Sequence, residues 1–467
     1  MNNLVYSCLM PHPPIILPEV GGKETEKCGK TVKGMIEAAE KLVENDPDTI
    51  VIITSHGAVF QDAVAISAVD QLTGNMGSFR APSVQFKYEN NLEFVNNLHN
   101  NCQVKGIPTV LMDEELIHQY NVDTKLDHGV MVPLYYLKKA GFRGSLVVVA
   151  MGLLPNLDLY AFGTVLQQTI TTFDGKIAVV ASGDMSHRLT PDAPSGYNPK
   201  GREFDQALQE AIEDGQVEKI VCVPHDLAEE AGECGLRPLI MLLGCLDGYA
   251  LQTKVLSYEG PFGVGYMIAE MIPKGSKGES LLPELKDNFH KSISNIRNDE
   301  HPLVQLARET LEAFVTHGKV IEPDYNLPDD LPDRAGVFVS LKKYGQLRGC
   351  IGTTEPTTGL LAEEVMRNAL SAGMNDPRFP EVIGDELGDI TYSVDVLYPS
   401  ESIKDTTELD PKQYGVIVSS GQKTGLLLPN LDGVDTVEEQ LNIALRKAGI
   451  GPEESYQLRR FRVDRYH

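Results

Sequence analysis

The residues best suited to chemistry in this chain are histidines set beside glycine or proline at the ends of apolar runs. His12 lies in PHPP after the run Leu4–Met10, and His56 lies in SHG after the run at 49–54. Both fall at the carboxyl ends of predicted buried strands, where open α/β sheets hold their ligands. Two neutral imidazoles presented from neighbouring strand ends can share one divalent ion through their ring-nitrogen lone pairs. An anionic third ligand would complete a facial set with positions left for substrate and dioxygen. The segment AEEAGECGLRP at 228–238 offers Glu230, Glu233 and Cys234 for that role. A carboxylate there suits ferrous iron; a thiolate suits copper, zinc or a redox role. SGDMSH at 182–187 sets Asp184 and His187 on a turn past another predicted strand. His187 can serve as general acid/base, with Asp184 orienting it or a substrate hydroxyl. Asp127-His128-Gly129 adds one more imidazole for substrate. A single histidine near a strand end is more often a surface or satisfied core residue, but the recurrence of the pattern argues for one shared site.

Strands must carry these residues to a common edge. The runs at 49–54, 145–150 and 176–181 are continuous, rich in β-branched residues and bounded by Gly or Asp, as in strands buried on both faces. Helical periodicity over 24–45, 204–220 and 234–246 supplies covering layers. An α/β fold is therefore expected, its N-terminal mixed sheet sandwiched by helices. The stretch MIPKGSKGESLL at 271–282 has no apolar periodicity and marks a boundary. The expected organisation is a domain at 1–272, a linker at 273–284 and a smaller α/β (α+β) domain at 285–467. In the second domain a helix is expected near 301–317, a loop over 323–334, and strands near 335–341, 346–352, 389–397, 415–419 and 424–428. Further helices are expected near 358–373 and 436–448.

A chain of 467 residues exceeds one ordinary core, so two or three self-sufficient domains are expected. The net charge of −25 repels phosphate backbones and anionic lipid, which argues against nucleic acid and membrane surfaces as partners. The one dense basic cluster, Arg459, Arg460, Arg462 and Arg465, alternates with Phe461, Val463 and Tyr466 and reads as a terminal strand with one apolar face. No run of eighteen apolar residues occurs and no basic segment opens the chain, so neither a membrane span nor secretion is expected. The seven cysteines are scattered without a CxxC pair, against both a disulfide framework and a zinc ribbon. A reducing, cytoplasmic setting is expected, and a homo-oligomer is left open.

Taken together, PHPPIILPEVG, ITSHG, DHGVMVPL, SGDMSHRLTPDAPSGY, ECGLRPL and SYEGPFGVGY resemble the LigB (class III extradiol dioxygenase) and Memo family, over roughly residues 1–270. The resemblance implies a non-haem iron site with His12 and His56 as metal ligands, His187 as acid/base and His128 contacting substrate. For the third ligand it points two ways: Cys234 matches the Memo pattern, and Glu233 supplies the dioxygenase chemistry. The implied cofactor is a divalent metal, ferrous iron first, with zinc and copper as alternatives. Residues 285–467 resemble the AMMECR domain through GQLRGCIG at 345–352 and NDPRF at 375–379. That resemblance implies an α/β fold and no particular reaction. Arg348, Cys350 and Arg378 can form a cleft for an anionic or carbonyl ligand. Equally, LRGCIG can be a tightly packed strand in which Gly349 and Gly352 permit close approach and Cys350 is a small buried residue.

The function expected is a metal-dependent, extradiol-dioxygenase-like oxidoreductase acting with dioxygen on a catecholic or phenolic small molecule. The alternative is a Memo-like metal or redox-binding protein that lacks ring cleavage and works with a radical S-adenosylmethionine protein, a partner associated with families of this pair. This chain has no cluster-binding cysteine triplet, so any radical chemistry would come from that partner. A third reading is metal-assisted hydrolysis or lyase chemistry on the same ligands.

Overall fold

The computed structural model describes residues 3–467 apart from 121, 123–124, 323–326, 329, 432–433, 435 and 452–453. The loop expected at 323–334 therefore lies partly outside the described residues. The chain divides into two compact units, Met1–Lys286 and Asp287–His467. No helix among the described residues is long and apolar enough to cross a membrane.

The first unit is built on strands β1 (Leu4–Met10), β2 (Thr49–Thr54), β3 (Val64–Ser67), β4 (Gln71–Met76), β5 (Ala81–Glu89), β6 (Thr109–Met112), β7 (Ser145–Ala150), β8 (Ile177–Ser182), β9 (Ala250–Glu259) and β10 (Tyr266–Lys274). Eight of them form one mixed sheet in the order β6-β3-β7-β2-β8-β1-β10-β9, and β4 and β5 form a separate hairpin. Every residue of β2 and of β8 is buried, as their unbroken apolar runs require for strands covered on both faces. β1, β8, β2 and β7 run parallel, with Met10 opposite Ser182 and Thr54 opposite both Ser182 and Ala150. Their carboxyl ends are therefore level, and the loops that follow emerge along one edge.

Helices cover this sheet: α1 (Pro18–Gly21), α2 (Gly29–Glu44), α3 (Leu92–Val104), α4 (Glu114–Tyr120), α5 (His128–Ala140), α6 (Asn156–Thr172), α7 (Pro199–Glu213), α8 (Val217–Val221), α9 (His225–Ala231) and α10 (Leu236–Cys245). Met35, Ala38 and Leu42 of α2 and Val130, Leu134 and Leu137 of α5 share a core with Tyr6, Cys8 and Met10, the alternate residues of β1. Each of the larger side chains, such as Met35, Leu42, Leu134 and Leu137, contributes about 1.5–3 kcal/mol by its burial. Helices α6 and α10 pack closely together. A Cβ on Gly163 would lie 2.2 Å from the Met241 carbonyl oxygen, so only glycine allows this approach. Helix α7 starts earlier than its periodicity suggests, because Asn198 caps it and Pro199 occupies its first turn.

The second unit contains β11 (Gly336–Lys343), β12 (Gln346–Gly352), β13 (Ile390–Leu397), β14 (Glu401–Ser402), β15 (Gly415–Ser420), β16 (Lys423–Leu427), β17 (Gln457–Phe461) and β18 (Val463–Tyr466). They form two antiparallel sheets, β12-β11-β13-β18 and β14-β17-β15-β16. Helices α12 (Pro302–His317) and α13 (Leu361–Met374) share a core with the first sheet, and α14 (Val437–Ala448) shares one with the second. A further helix, α11 (Leu282–Asn298), occupies the end of the expected linker and the stretch after it. Its inward stripe is narrow, with Leu285 and Ile293 buried and Phe289 half-buried between them, which is why composition alone reads the segment as irregular.

Candidate metal centre

His12 leaves β1 two residues after its end and is 2% exposed. Its main-chain N–H donates to Asp184 Oδ1 at 2.9 Å, which ties the loop after β1 to the loop after β8. Its Nδ1 lies 3.0 Å from Ser182 Oγ. The one proton of that hydroxyl is donated to the Gly129 carbonyl, so Ser182 can only accept from the ring. Nδ1 therefore carries the hydrogen, and Nε2 presents a lone pair.

His56 leaves β2 in the same way. Its N–H donates to Thr54 Oγ1 at 3.1 Å, and the same hydroxyl donates to Asp127 Oδ1 at 3.0 Å. Asp127 caps α5 by accepting from the Val130 N–H, so His128 is the first residue of that helix. The helix terminus thereby brings His128 over the sheet edge, its ring 4.2 Å from that of His56 and 5.2 Å from that of His12. Gly129 is required at this crossing. A Cβ there would lie 2.4 Å from Thr54 Oγ1 and 2.8 Å from Asp127 Oδ1.

The ligand atoms of His12, His56 and His128 all lie within 4.8 Å of one another. His12 Nε2 and His56 Nε2 are 3.0 Å apart, the spacing of neighbouring ligands held about 2.1 Å from a common centre. Burial, then the neighbouring imidazoles, holds the His12 pKa well below the usual histidine range. Burial, with His56 adding to it, lowers His128 to about 4. Burial also lowers His56, against the pull of the Asp127 carboxylate. All three rings are thus neutral near pH 7 with lone pairs available, and this donor set fits a divalent transition metal.

Cys234 Sγ lies 3.6 Å from His12 Nε2 and accepts the Asp184 N–H at 3.2 Å. Burial pushes its thiol pKa up. The neighbouring Glu233 is turned elsewhere: its carboxylate accepts the Leu236 N–H at 2.6 Å in the first turn of α10, whose open amides attract an anion. Glu230 accepts from the Asn198 side chain at 3.3 Å. The structure thus brings Cys234 to His12, while the Glu233 and Glu230 carboxylates are engaged at other contacts.

Asp184 is buried, and burial raises it to about 7 against the opposing His12 N–H. It braces the His12 main chain and does not orient His187. The His187 N–H donates to the Ala231 carbonyl, and its buried Nδ1 has no hydrogen-bond partner. Burial keeps this ring below its usual pKa as well. Positioning groups that the sequence does not single out are Thr54, Asp127, Ser182 and Asp205. Asp205 of α7 accepts the Ser186 N–H at 2.8 Å and the Tyr258 hydroxyl at 2.6 Å, fixing the turn that carries His187. Thr54 and Ser182 are polar residues ending apolar strands, a readable signal. Asp205 offers none beyond being an acid on an amphipathic helix.

In the second unit the arginines of the glycine-rich segment are already paired. Arg348 Nη2 meets Glu386 Oε1 at 2.7 Å, and Arg378 Nη2 meets Asp376 Oδ2 at 2.6 Å. Cys350 receives the Ser340 hydroxyl at 3.2 Å, and a Cβ on Gly349 would lie 2.2 Å from the Ala372 carbonyl oxygen. The strand is closely packed at Gly349, and each of the two guanidinium groups already meets a carboxylate.

The family described as the catalytic LigB subunit of aromatic ring-opening dioxygenase matches residues 6–269, and the family described as AMMECR1 matches residues 304–467. A protein of Clostridium acetobutylicum is 44% identical over 460 residues, 98% of each chain. A protein of Thermotoga maritima is 55% identical over 171 residues, 36% of this chain and 98% of its own. Among solved structures, an uncharacterized protein from Pyrococcus horikoshii shares 34% identity over 35% of this chain and 88% of its own, with a TM-score of 0.33. An uncharacterized protein from Escherichia coli K12 shares 16% identity over 57% of this chain and 99% of its own, with a TM-score of 0.39. The histidine-bearing unit and the match that spans it lead to one statement of kinship: this chain belongs to the LigB family and carries an AMMECR1 domain in the same polypeptide.

Proposed function

We propose that the first unit is a metal-dependent enzyme of the aromatic ring-opening dioxygenase type, acting on a catecholic or phenolic small molecule. The observation behind this reading is the convergence of three neutral imidazoles within 4.8 Å at the level carboxyl ends of parallel strands. In this reading His12 and His56 hold ferrous iron, and His128, expected from the sequence to contact substrate, joins them as the third ligand. Bound there, the ion would supply a Lewis acid and a common meeting point for phenolic oxygens and dioxygen. His187, neutral and with an unpartnered buried Nδ1, takes the substrate hydroxyl proton and returns it as the ring opens. Asp184 and Ser182 fix the main chain and ring of His12. Phe79, its ring 5.5 Å from that of His128, packs beside the site as an apolar wall for an aromatic substrate. Both atoms of dioxygen enter the opened ring, so no separate reductant is consumed.

The test is metal analysis of anaerobically purified full-length protein, followed by an absorbance scan with catechol in air. Stoichiometric iron and a growing yellow product support the proposal. Bound metal without turnover sinks it.

Cys234 favours a second reading. A thiol 3.6 Å from His12 Nε2 suits copper, zinc or a redox role, as in a Memo-like protein that works with a radical S-adenosylmethionine partner and cleaves no ring. On this reading Cys234→Ala loses the metal and catechol gives no product.

A further inference from the structure

A serine hydroxyl beside the histidines is left without a partner. Ser55, between Thr54 and His56, is 7% exposed, and its Oγ is sealed from solvent and makes no hydrogen bond among the described residues. A buried hydroxyl left unpaired is costly, so a group that completes it is expected.

The ends of β2 and β8 fix where that hydroxyl points. Thr54 lies opposite Ser182, and both turn toward α5, Thr54 donating to Asp127 and Ser182 to the Gly129 carbonyl. Alternation carries the next residues, Ser55 and Gly183, to the opposite face. On that face the chain at Cys234 and Gly235 packs down: a Cβ on Gly183 would lie 2.2 Å from Gly235 Cα and 3.0 Å from the Cys234 carbonyl oxygen. Ser55 therefore stands beside Cys234. Burial and the Asp184 carboxylate raise the Cys234 thiol, and the Asp184 N–H and the Ser55 hydroxyl oppose them.

The Cys234 sulfur lies 3.6 Å from His12 Nε2 and already accepts the Asp184 N–H at 3.2 Å. While the thiol keeps its proton, that proton is directed at the Asp184 carbonyl, 3.7 Å away. A sulfur that binds a metal releases the proton and then needs donors instead. The Ser55 O–H can rotate to supply one. Resting on the second reading above, in which Cys234 holds the metal, we infer that Ser55 is a positioning residue whose hydroxyl donates to the Cys234 sulfur when a metal occupies the site. Two donors on that sulfur, one from the Asp184 main chain and one from Ser55, draw charge from it and weaken its covalent bond to the metal, as hydrogen bonds do at other thiolate centres.

The experiment loads the full chain with cobalt(II) and follows the thiolate-to-cobalt charge-transfer absorption in the near ultraviolet. Cys234→Ala should lose the band. Ser55→Ala should keep stoichiometric cobalt and keep the band but move it to longer wavelength, because a sulfur without that hydrogen bond gives up an electron more easily. Ser55→Thr, which retains the hydroxyl, should leave the band in place. A band that does not move in Ser55→Ala, that moves as far in Ser55→Thr, or that vanishes together with the cobalt in Ser55→Ala overturns this inference alone. An unsubstituted protein with no such band, or a band that survives Cys234→Ala, overturns the reading of Cys234 as a ligand, and this inference with it.

Discussion

Both units place polar side chains beside glycines at the ends of apolar strands, yet the two arrangements end in opposite states. In the first unit the ring nitrogens of His12, His56 and His128 face one another, and among the described residues no carboxylate joins their group. In the second unit several charged groups pair with one another. Arg348 meets Glu386, Arg378 meets Asp376, and the fully buried Glu364 accepts from the Thr353, Thr357 and Thr358 hydroxyls and from the Thr357 and Thr358 amides. A buried polar cluster that closes on itself stabilises a fold, whereas one that leaves converging lone pairs needs a ligand to complete it. Motifs of similar appearance in sequence therefore differ in kind: one is a receptor and the other a brace.

The largest effects should come from breaking each cluster at its centre. His12→Ala should abolish stoichiometric metal retention, read by metal analysis after dialysis, while leaving the thermal transition of the second unit in place. Retention of full metal content by this variant would remove the receptor half of the comparison. Glu364→Ala should leave metal content unchanged and destabilise the second unit by about 1–3 kcal/mol, because the hydroxyls of Thr353, Thr357 and Thr358 and the amides of Thr357 and Thr358 lose the buried carboxylate that gathers them. Denaturant unfolding checks the size of that loss, and a change under about 1 kcal/mol would contradict the brace.

Acid should act on the same brace. Burial alone would raise Glu364, but the threonine hydrogen bonds bring it from 4.5 down to about 2. The Arg378 guanidinium is the main cause of a fall in Asp376 from 3.8 to about 2. A carboxyl with a depressed folded pKa stabilises the fold fully above its unfolded value, and the contribution is lost as pH falls through the folded value. The second unit should therefore weaken between about pH 4.5 and pH 2, and Glu364→Gln should flatten that slope. An unchanged slope in the variant would assign the acid sensitivity elsewhere.

An intermediate effect separates the proposed metal ligands from the group that aims one of them. Ser182→Ala removes the acceptor for the His12 ring N–H and should weaken metal affinity roughly 10–100-fold without removing a ligand. Competition with a chelator of known affinity measures it. Full affinity in this variant would mean that the main-chain bond to Asp184 alone suffices to orient His12.

Much of this contrast begins in features the sequence shows. Unbroken β-branched runs fix β2, β7 and β8, and their parallel pairing brings the residues after them, His56 and the 182–187 turn, to one edge. Asp127 before an apolar helix is a readable cap, but that the capped terminus carries His128 over β2 is a tertiary fact. The choice between Glu233 and Cys234 depends on one residue's rotation at the start of α10, where a helix terminus draws in the carboxylate and leaves the thiol facing His12. Strand β4 alternates exposed and buried residues, but Gly74 weakens the pattern locally and β5 does not keep the alternation. In the second unit the partner of Arg348 is illegible for a different reason. Arg348 and Glu386 lie 38 residues apart, so nothing local announces the pair.

The smallest effect tests the brace at its rim. Arg378 keeps 48% of its side chain exposed while Asp376 keeps 2%, so the pair is solvated on one side only. Removing the guanidinium leaves Asp376 with the Cys350 and Arg378 amides as donors, and an ion pair exposed to this degree contributes about 0.2–1 kcal/mol. Arg378→Ala should therefore cost at most about 1 kcal/mol. Asp376→Ala should cost more, about 1–3 kcal/mol, because it also takes the acceptor from the Cys350 N–H within the sheet. Denaturant midpoints of the two variants decide the matter. Equal costs would mean that the ion pair itself holds the segment, and a larger cost for Arg378 would mean that the guanidinium does work that Asp376 does not account for. The order expected here, acid above base, is what separates a carboxylate that organises a buried main chain from an arginine that merely neutralises it.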